Sequence, residues 1–291
     1  MGPRLFVINA KAAAAATALA LALAAPPAGA SPNGAAERFY ERSFVLAADG
    51  RCRLFEPRLT KALEAATWQA RGAALRAGVD APQLAESAGR ARALAARTPC
   101  DAADLKTVAG RAENAFSGWK RLARLTLPGA RRDWSADRFA YKSPTYRLVQ
   151  DSVTGASPVR FGLAGTMDVA DAPVAVVSWF GQPRPVGARL VLRDAAVAPQ
   201  PWLTGDLPPS AQARTIWSSG AEDASTTLLP REQKAGQAWR FPAEAAEALA
   251  GLDPREPFAL EFVFRDGSVA RARFEAGDFA AGQAFLAMGA V

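Results

Sequence analysis

The chain has 291 residues, half of them hydrophobic, and carries 35 Lys or Arg against 28 Asp or Glu, with no histidine. The length allows one large domain or two ordinary ones. The missing histidine excludes Ser-His-Asp and Cys-His catalysis, histidine zinc sites and histidine-ligated haem, while chemistry done by carboxylates, lysine or tyrosine survives it.

Residues 1–30 read as a cleaved secretory signal. Arg4 and Lys11 supply a positive start, Ala12 to Ala25 is uninterrupted apolar or small, and Ala28-Gly29-Ala30 is a small-x-small cleavage pattern. The apolar run is 14 residues, short of the roughly 20 that span a bilayer. No twin arginine and no cysteine after the cleavage site point to unfolded export and a mature chain starting near Ser31. No later run is apolar enough to span a membrane as a helix. The alanine- and arginine-rich, lysine-poor composition resembles that of a high-GC bacterium, so the expected destination is the periplasm or beyond.

From Ala35 to about Leu127 the apolar period is helical. A first helix is expected over about 36–48, ending before Asp49-Gly50. A second runs from about Leu54 to Ala77, with Leu59, Leu63, Ala66, Ala70 and Ala74 on one face. Asp80 and Pro82 open a third, to about Arg97, and Asp101 caps a fourth that carries Leu105, Val108, Ala112, Phe116, Trp119 and Leu122 to about Leu125. Four helices on short connections predict an antiparallel bundle.

After "LPGARRDWSADRFAYKSP" the period becomes two. "YRLVQ", "VAVVSWF", "ARLVLRD", "ARTIWSS", "QAWRFP", "FALEFVFRD" and "SVARARFEA" read as strands, and Asp266-Gly267 as a hairpin turn. Short helices are expected from Pro242 and, capped by Asp278, at the end of the chain. The predicted fold is therefore α+β. A helical bundle over 31–130 is tied by one disulfide, a basic connector covers 131–147, and a mainly antiparallel β domain fills 148–291. That domain is sandwich-like or a partly closed barrel, with a short C-terminal helix.

Residues 31–147 hold 21 Lys or Arg against 12 Asp or Glu, and residues 148–291 hold 12 against 16. The basic excess thus belongs to the first half and its connector. Arg124, Arg131, Arg132, Arg138, Lys142 and Arg147, interleaved with Trp134 and other aromatics, form the candidate surface for an anionic envelope component or a partner protein. Solvated arginines paired with the acidic second half are the plainer alternative. Export argues against nucleic acid as the ligand.

Other chemistry is sparse. No glycine-rich phosphate loop, EF-hand or metal-ligand set is present, and no cofactor is implied. Asp168 with Asp171, and Glu222 with Asp223, are the carboxylate pairs placed in plausible loops. Ser117 to Lys120 has S-x-x-K spacing, but the accompanying elements of that chemistry are missing.

The expected function is a non-catalytic binding or accessory protein of the cell envelope. The alternative is a carboxylate-dependent hydrolase or transglycosylase acting on envelope polysaccharide, and a third reading is an assembly factor docking by a sheet edge. Cys52 precedes the second helix and Cys100 the fourth, so an up-down-up order brings both to one end and predicts a disulfide in an oxidising compartment.

Overall fold

The computed structural model describes residues 32–140, 145–166, 172–181 and 183–291. Residues 1–31, on which the signal is expected, together with Lys142, Asp168 and Asp171 lie outside the described residues.

The first helix, α1 (Pro32–Cys52), runs past Asp49-Gly50. The Asp49 carboxylate explains why no turn forms there. It accepts the Phe55 N–H at 3.0 Å and the Thr60 hydroxyl at 2.7 Å, so it organises the next turn of chain. Arg53 ends α1 by taking the left-handed conformation, φ +51°. Pro57 then starts α2 (Pro57–Arg76), where proline's missing N–H costs nothing. Its predicted face is buried, and Ala62, Ala65 and Leu75 with it, because α2 packs against α1 on one side and the C-terminal helix on another.

Helix α3 (Ala81–Arg97) follows, and α4 (Ala103–Phe116) begins two residues after Asp101. The fourth helix stops well short of Leu125. The chain passes through a 3-10 turn, Trp119–Arg121, into strand β1 (Arg124–Leu127). A 3-10 turn keeps side chains three apart on one face, so Phe116 and Trp119 still meet edge to face at 5.9 Å. That spacing imitates a continuing helix.

Two antiparallel sheets follow. The first has the order β1, β2 (Trp134–Asp137), β3 (Thr145–Thr154), β4 (Ser157–Gly165), β5 (Ala172–Val177), β9 (Gln237–Arg240), β8 (Gly220–Asp223). The second has the order β11 (Val269–Glu275), β10 (Pro257–Val263), β6 (Gly187–Arg193), β7 (Ala213–Trp217). Both sheets keep open edges, so neither closes as a barrel. Helix α5 (Glu244–Ala250) precedes β10 and α6 (Phe279–Leu286) follows β11. The Asp266-Gly267 turn closes the β10–β11 hairpin in register with Val263 opposite Val269. The strand β4 escapes an alternation test because both its faces are covered in its second half.

One hydrophobic cluster runs through all of this. It contains Val45, Leu59 and Leu63 from the helices, Phe161 from the first sheet, and Phe258, Phe262 and Phe274 from the second, then Phe279 and Phe285 of α6. Trp119 reaches the Phe285 ring at 6.3 Å and Phe161 reaches Phe258 at 5.5 Å. A polar clasp joins the sheets. Gln150 of β3 accepts the Glu275 N–H at 2.9 Å and donates to the Glu275 carbonyl at 3.2 Å. Cys52 and Cys100 are bonded, with their Cα atoms 5.5 Å apart.

Candidate functional site

The stretch 131–147 carries β2 and the start of β3, and its cationic residues divide into interior and surface groups. Arg138 is 1 % exposed. Its guanidinium donates to the carbonyls of Trp119, Lys120, Leu122 and Gly289 and lies 4.5 Å over the Phe285 ring. Burial pushes its pKa down, and the fields of Arg58 and Arg147 push the same way. Arg147 is 2 % exposed, with Nε donating to the Asp137 carbonyl. Trp134 is fully buried, donating its indole N–H to the Ala276 carbonyl at 3.0 Å. These three side chains are interior scaffold, which corrects their placement on a binding surface. An arginine can be buried when folding collects enough carbonyls around it, and those carbonyls come from distant parts of the chain.

Arg124, Arg131 and Arg132 remain at or near the surface. Arg124 pairs with Asp137 at 2.8 Å, and Arg132 donates to the Asp151 carbonyl at 3.0 Å. The backbone N–H groups of Ala130, Arg131 and Arg132 all point at the Glu275 carboxylate, at 2.7, 2.8 and 3.3 Å. An internal carboxylate therefore fills the anion-binding concavity of this loop. The carboxylates Glu222 and Asp223 sit on the exposed edge strand β8, with Glu222 paired to Arg240. Ser117 donates to the Asn114 carbonyl, and Lys120 pairs with Glu56. No group of three Cys, Asp or Glu among the described residues converges as a metal site.

A groove with distinctive electrostatics lies elsewhere, between α2 and the segments flanking β10 and α6. Trp68, Arg71, Leu252, Pro254, Asp278 and Ala281 line it. It is a shallow surface groove whose enclosed volume is only about 10 Å³, close to that of one water molecule, so a ligand would lie along it rather than inside it. Arg71 and Asp278 line it, and Arg76, Arg255 and Asp253 stand just behind its wall. Arg76 grips Asp278 through two hydrogen bonds of 2.9 and 3.0 Å. Arg255 grips Asp253 in the same forked way, at 2.9 and 3.0 Å, and adds a bond to the Leu75 carbonyl. Arg71 has neither a hydrogen bond nor an ion pair with any described residue. Its one contact of this kind is the Trp68 ring, 5.9 Å away.

Burial holds the Arg71 guanidinium below the usual arginine value, with the field of Asp253 pulling it back up and that of Arg255 pushing it further down. Desolvation likewise raises the pKa of the Asp278 carboxyl, against the pull of Arg76. Arg71 is thus the guanidinium here without a hydrogen-bonded carboxylate, and its five donors make no hydrogen bond to a described residue. Trp68, 40 % exposed, offers an aromatic surface beside it. The sequence holds one hint of this site: a tryptophan and an arginine three apart on the outer face of a helix otherwise striped with alanine.

Both carboxylates near the groove are committed to guanidinium groups, so the arrangement is suited to holding a charge and not to moving a proton. No family model matches the chain, and no curated protein or solved structure matches it either.

Proposed function

We propose that this is an exported, non-catalytic envelope protein that binds an anionic group carried on a sugar or apolar body, in the groove beside Arg71 and Trp68. The observation that carries this reading is Arg71, the one guanidinium of three around the groove without a carboxylate. An arginine fork suits a carboxylate or phosphate, and an adjacent indole suits the body that carries it.

A periplasmic or secreted location is supported by the signal-like first 30 residues and by the disulfide, and suits a ligand from peptidoglycan or lipopolysaccharide. The sheets meet through Phe161, Phe258 and Phe274, which supports a sandwich-like arrangement. The contacts of α1 with α2 and α3 support a helical bundle.

The test is a tryptophan-fluorescence titration with soluble peptidoglycan fragments and, separately, with detergent-dispersed lipopolysaccharide. Arg71→Ala should weaken binding at least tenfold, as expected for loss of a charge-assisted forked contact of about 1.5–3 kcal/mol. Arg71→Lys should recover part of it, because lysine keeps the charge and loses the fork. Equal binding by wild type and Arg71→Ala would remove the groove from the reading.

A further inference from the structure

A second surface rests on a different observation, the distribution of exposed apolar side chains. Of the twelve large exposed ones among the described residues, five stand at one end of the paired sheets: Val153, Phe180, Val186, Trp217 and Val269, between 43 and 60 % exposed.

Strand register places them together. Val269 is opposite Val263, and Val263 is opposite Gly187. The Val186 N–H donates to the Val263 carbonyl at 2.8 Å. The Trp217 ring lies against the bare backbone of Gly187, where an added Cβ would be 3.2 Å from the ring. Across the gap between the sheets, Trp179 meets Phe262 at 5.0 Å and Phe264 at 5.4 Å, which holds the neighbouring Phe180 at the same end. The Phe180 N–H is fixed by the Ser157 hydroxyl at 3.0 Å, next to the β3–β4 turn that carries Val153. These side chains therefore sit on strand ends and turns that converge on one pole.

Cations frame this pole. Arg184 and Arg265 are exposed and have no ion pair among the described residues, while Asp266 is bonded into its own turn by Ser268. Behind them Glu261 links Arg189 and Arg271 across three strands, and Arg189 lies 5.2 Å over the Trp217 ring. Four arginines against two carboxylates leave the pole net positive. Apolar tips with a tryptophan at their margin and a collar of arginine match the layering of an anionic bilayer surface, with apolar groups at the acyl boundary, indole at the interface and guanidinium at the phosphates. Trp217 and Val269 end the edge strands β7 and β11, so a protein partner adding to an edge is the competing outcome that the vesicle experiment separates.

We infer that this pole docks on the surface of an anionic phospholipid membrane, through Phe180, Val186, Val269 and Trp217 with Arg184 and Arg265 at the head groups.

The test is co-sedimentation of the mature, disulfide-bonded chain with vesicles of mixed phosphatidylglycerol and phosphatidylcholine, and with phosphatidylcholine alone. The mixed vesicles should bind it at least tenfold more tightly, and salt should weaken the binding. Phe180→Asp with Val186→Asp should lose that binding, whereas Leu94→Asp, a change at an exposed apolar side chain on α3, should not. A blue shift on adding mixed vesicles should be present in wild type and reduced in Trp217→Phe. Circular dichroism confirms that each variant is folded. Failure to sediment with either vesicle, equal binding to both, or equal loss in the Leu94 variant would each overturn the inference, as would capture of a protein without any vesicle binding. The Arg71 comparison on soluble peptidoglycan fragments involves no lipid surface, so on that arm the two surfaces fail independently.

Discussion

Arg76 on α2 and Asp278 at the start of α6, 202 residues apart, are joined by two parallel hydrogen bonds of 2.9 and 3.0 Å. Asp278 occupies the N-cap position of α6, yet its carboxylate makes no capping bond to that helix. It turns sideways to the arginine instead, and Gly72 makes room for it: an added Cβ would be 2.1 Å from Asp278 Oδ1. The expected effect of Gly72→Ala is therefore opposite to helix propensity. Propensity alone would stabilise by about 1 kcal/mol. Displacing the carboxylate should outweigh that gain, for a net loss of roughly 1–3 kcal/mol. Urea unfolding checks it, and Gly72→Ala should cost much less in an Asp278→Ala background, because the two changes share one contact.

The disulfide spans a sequence separation of 48. Cys52→Ser with Cys100→Ser should lower unfolding free energy by up to about 4 kcal/mol, the chain-entropy value for a loop of this size. Equilibrium denaturation with and without reductant measures it. No difference between the two conditions would show that the unfolded chain is not expanded by cutting the link.

Glu41 presents a case where removing charge should help. Both carboxylate oxygens are buried without a hydrogen-bond partner. Desolvation raises its pKa, Glu37 adds to the rise, and Arg42 and Arg38 oppose it. A raised folded-state value means that the native chain holds this proton more tightly than the unfolded chain. The contribution of Glu41 to stability is then fullest below the unfolded value and is lost as pH rises through the folded one. Glu41→Gln should stabilise the protein at neutral pH by about 1 kcal/mol, with the advantage shrinking on acidification. Thermal melts at pH 7 and near pH 4 provide the comparison, and a less stable variant at pH 7 would contradict the account.

Glu275 is the opposite case, a carboxylate with three N–H donors. Glu275→Gln keeps the size but presents an amide NH₂ to some of those donors. Stability should fall by roughly 1–3 kcal/mol, and amide hydrogen exchange at Ala130 and Arg131 should accelerate.

Much of the architecture is legible in local chemistry. The start of α3 follows from Asp80 and Pro82, α2 begins at Pro57 rather than at the expected Leu54, and the cysteine pairing follows from helix order together with the expected oxidising compartment. What escapes is whatever depends on distant backbone. The loop arginines Arg138 and Arg147 look solvated until carbonyls from residues 119–122, 137 and 289 close around them. Strands as short as β1, β2 and β8 carry too few residues to show a period. The groove is harder still. Arg71 matters because Arg76 and Arg255 have already taken the two acids, and that matching is settled by tertiary geometry between α2 and the last forty residues.

The packing of α2 on α6 also sets an order of events. A chain that emerges from its N-terminus delivers Leu59, Leu63 and Ala66 long before Phe279 and Phe285, with which they share a core. Until residues 278–289 arrive, that side of α2 has no cover, and neither Asp278 nor the carbonyl of Gly289 is present to occupy Arg76 and Arg138. Helix α2 is thus among the last elements to be fully secured, and a truncation near residue 278 would leave one of its sides exposed while the described strands were already complete. The cover of α2 therefore depends on residues 278–289.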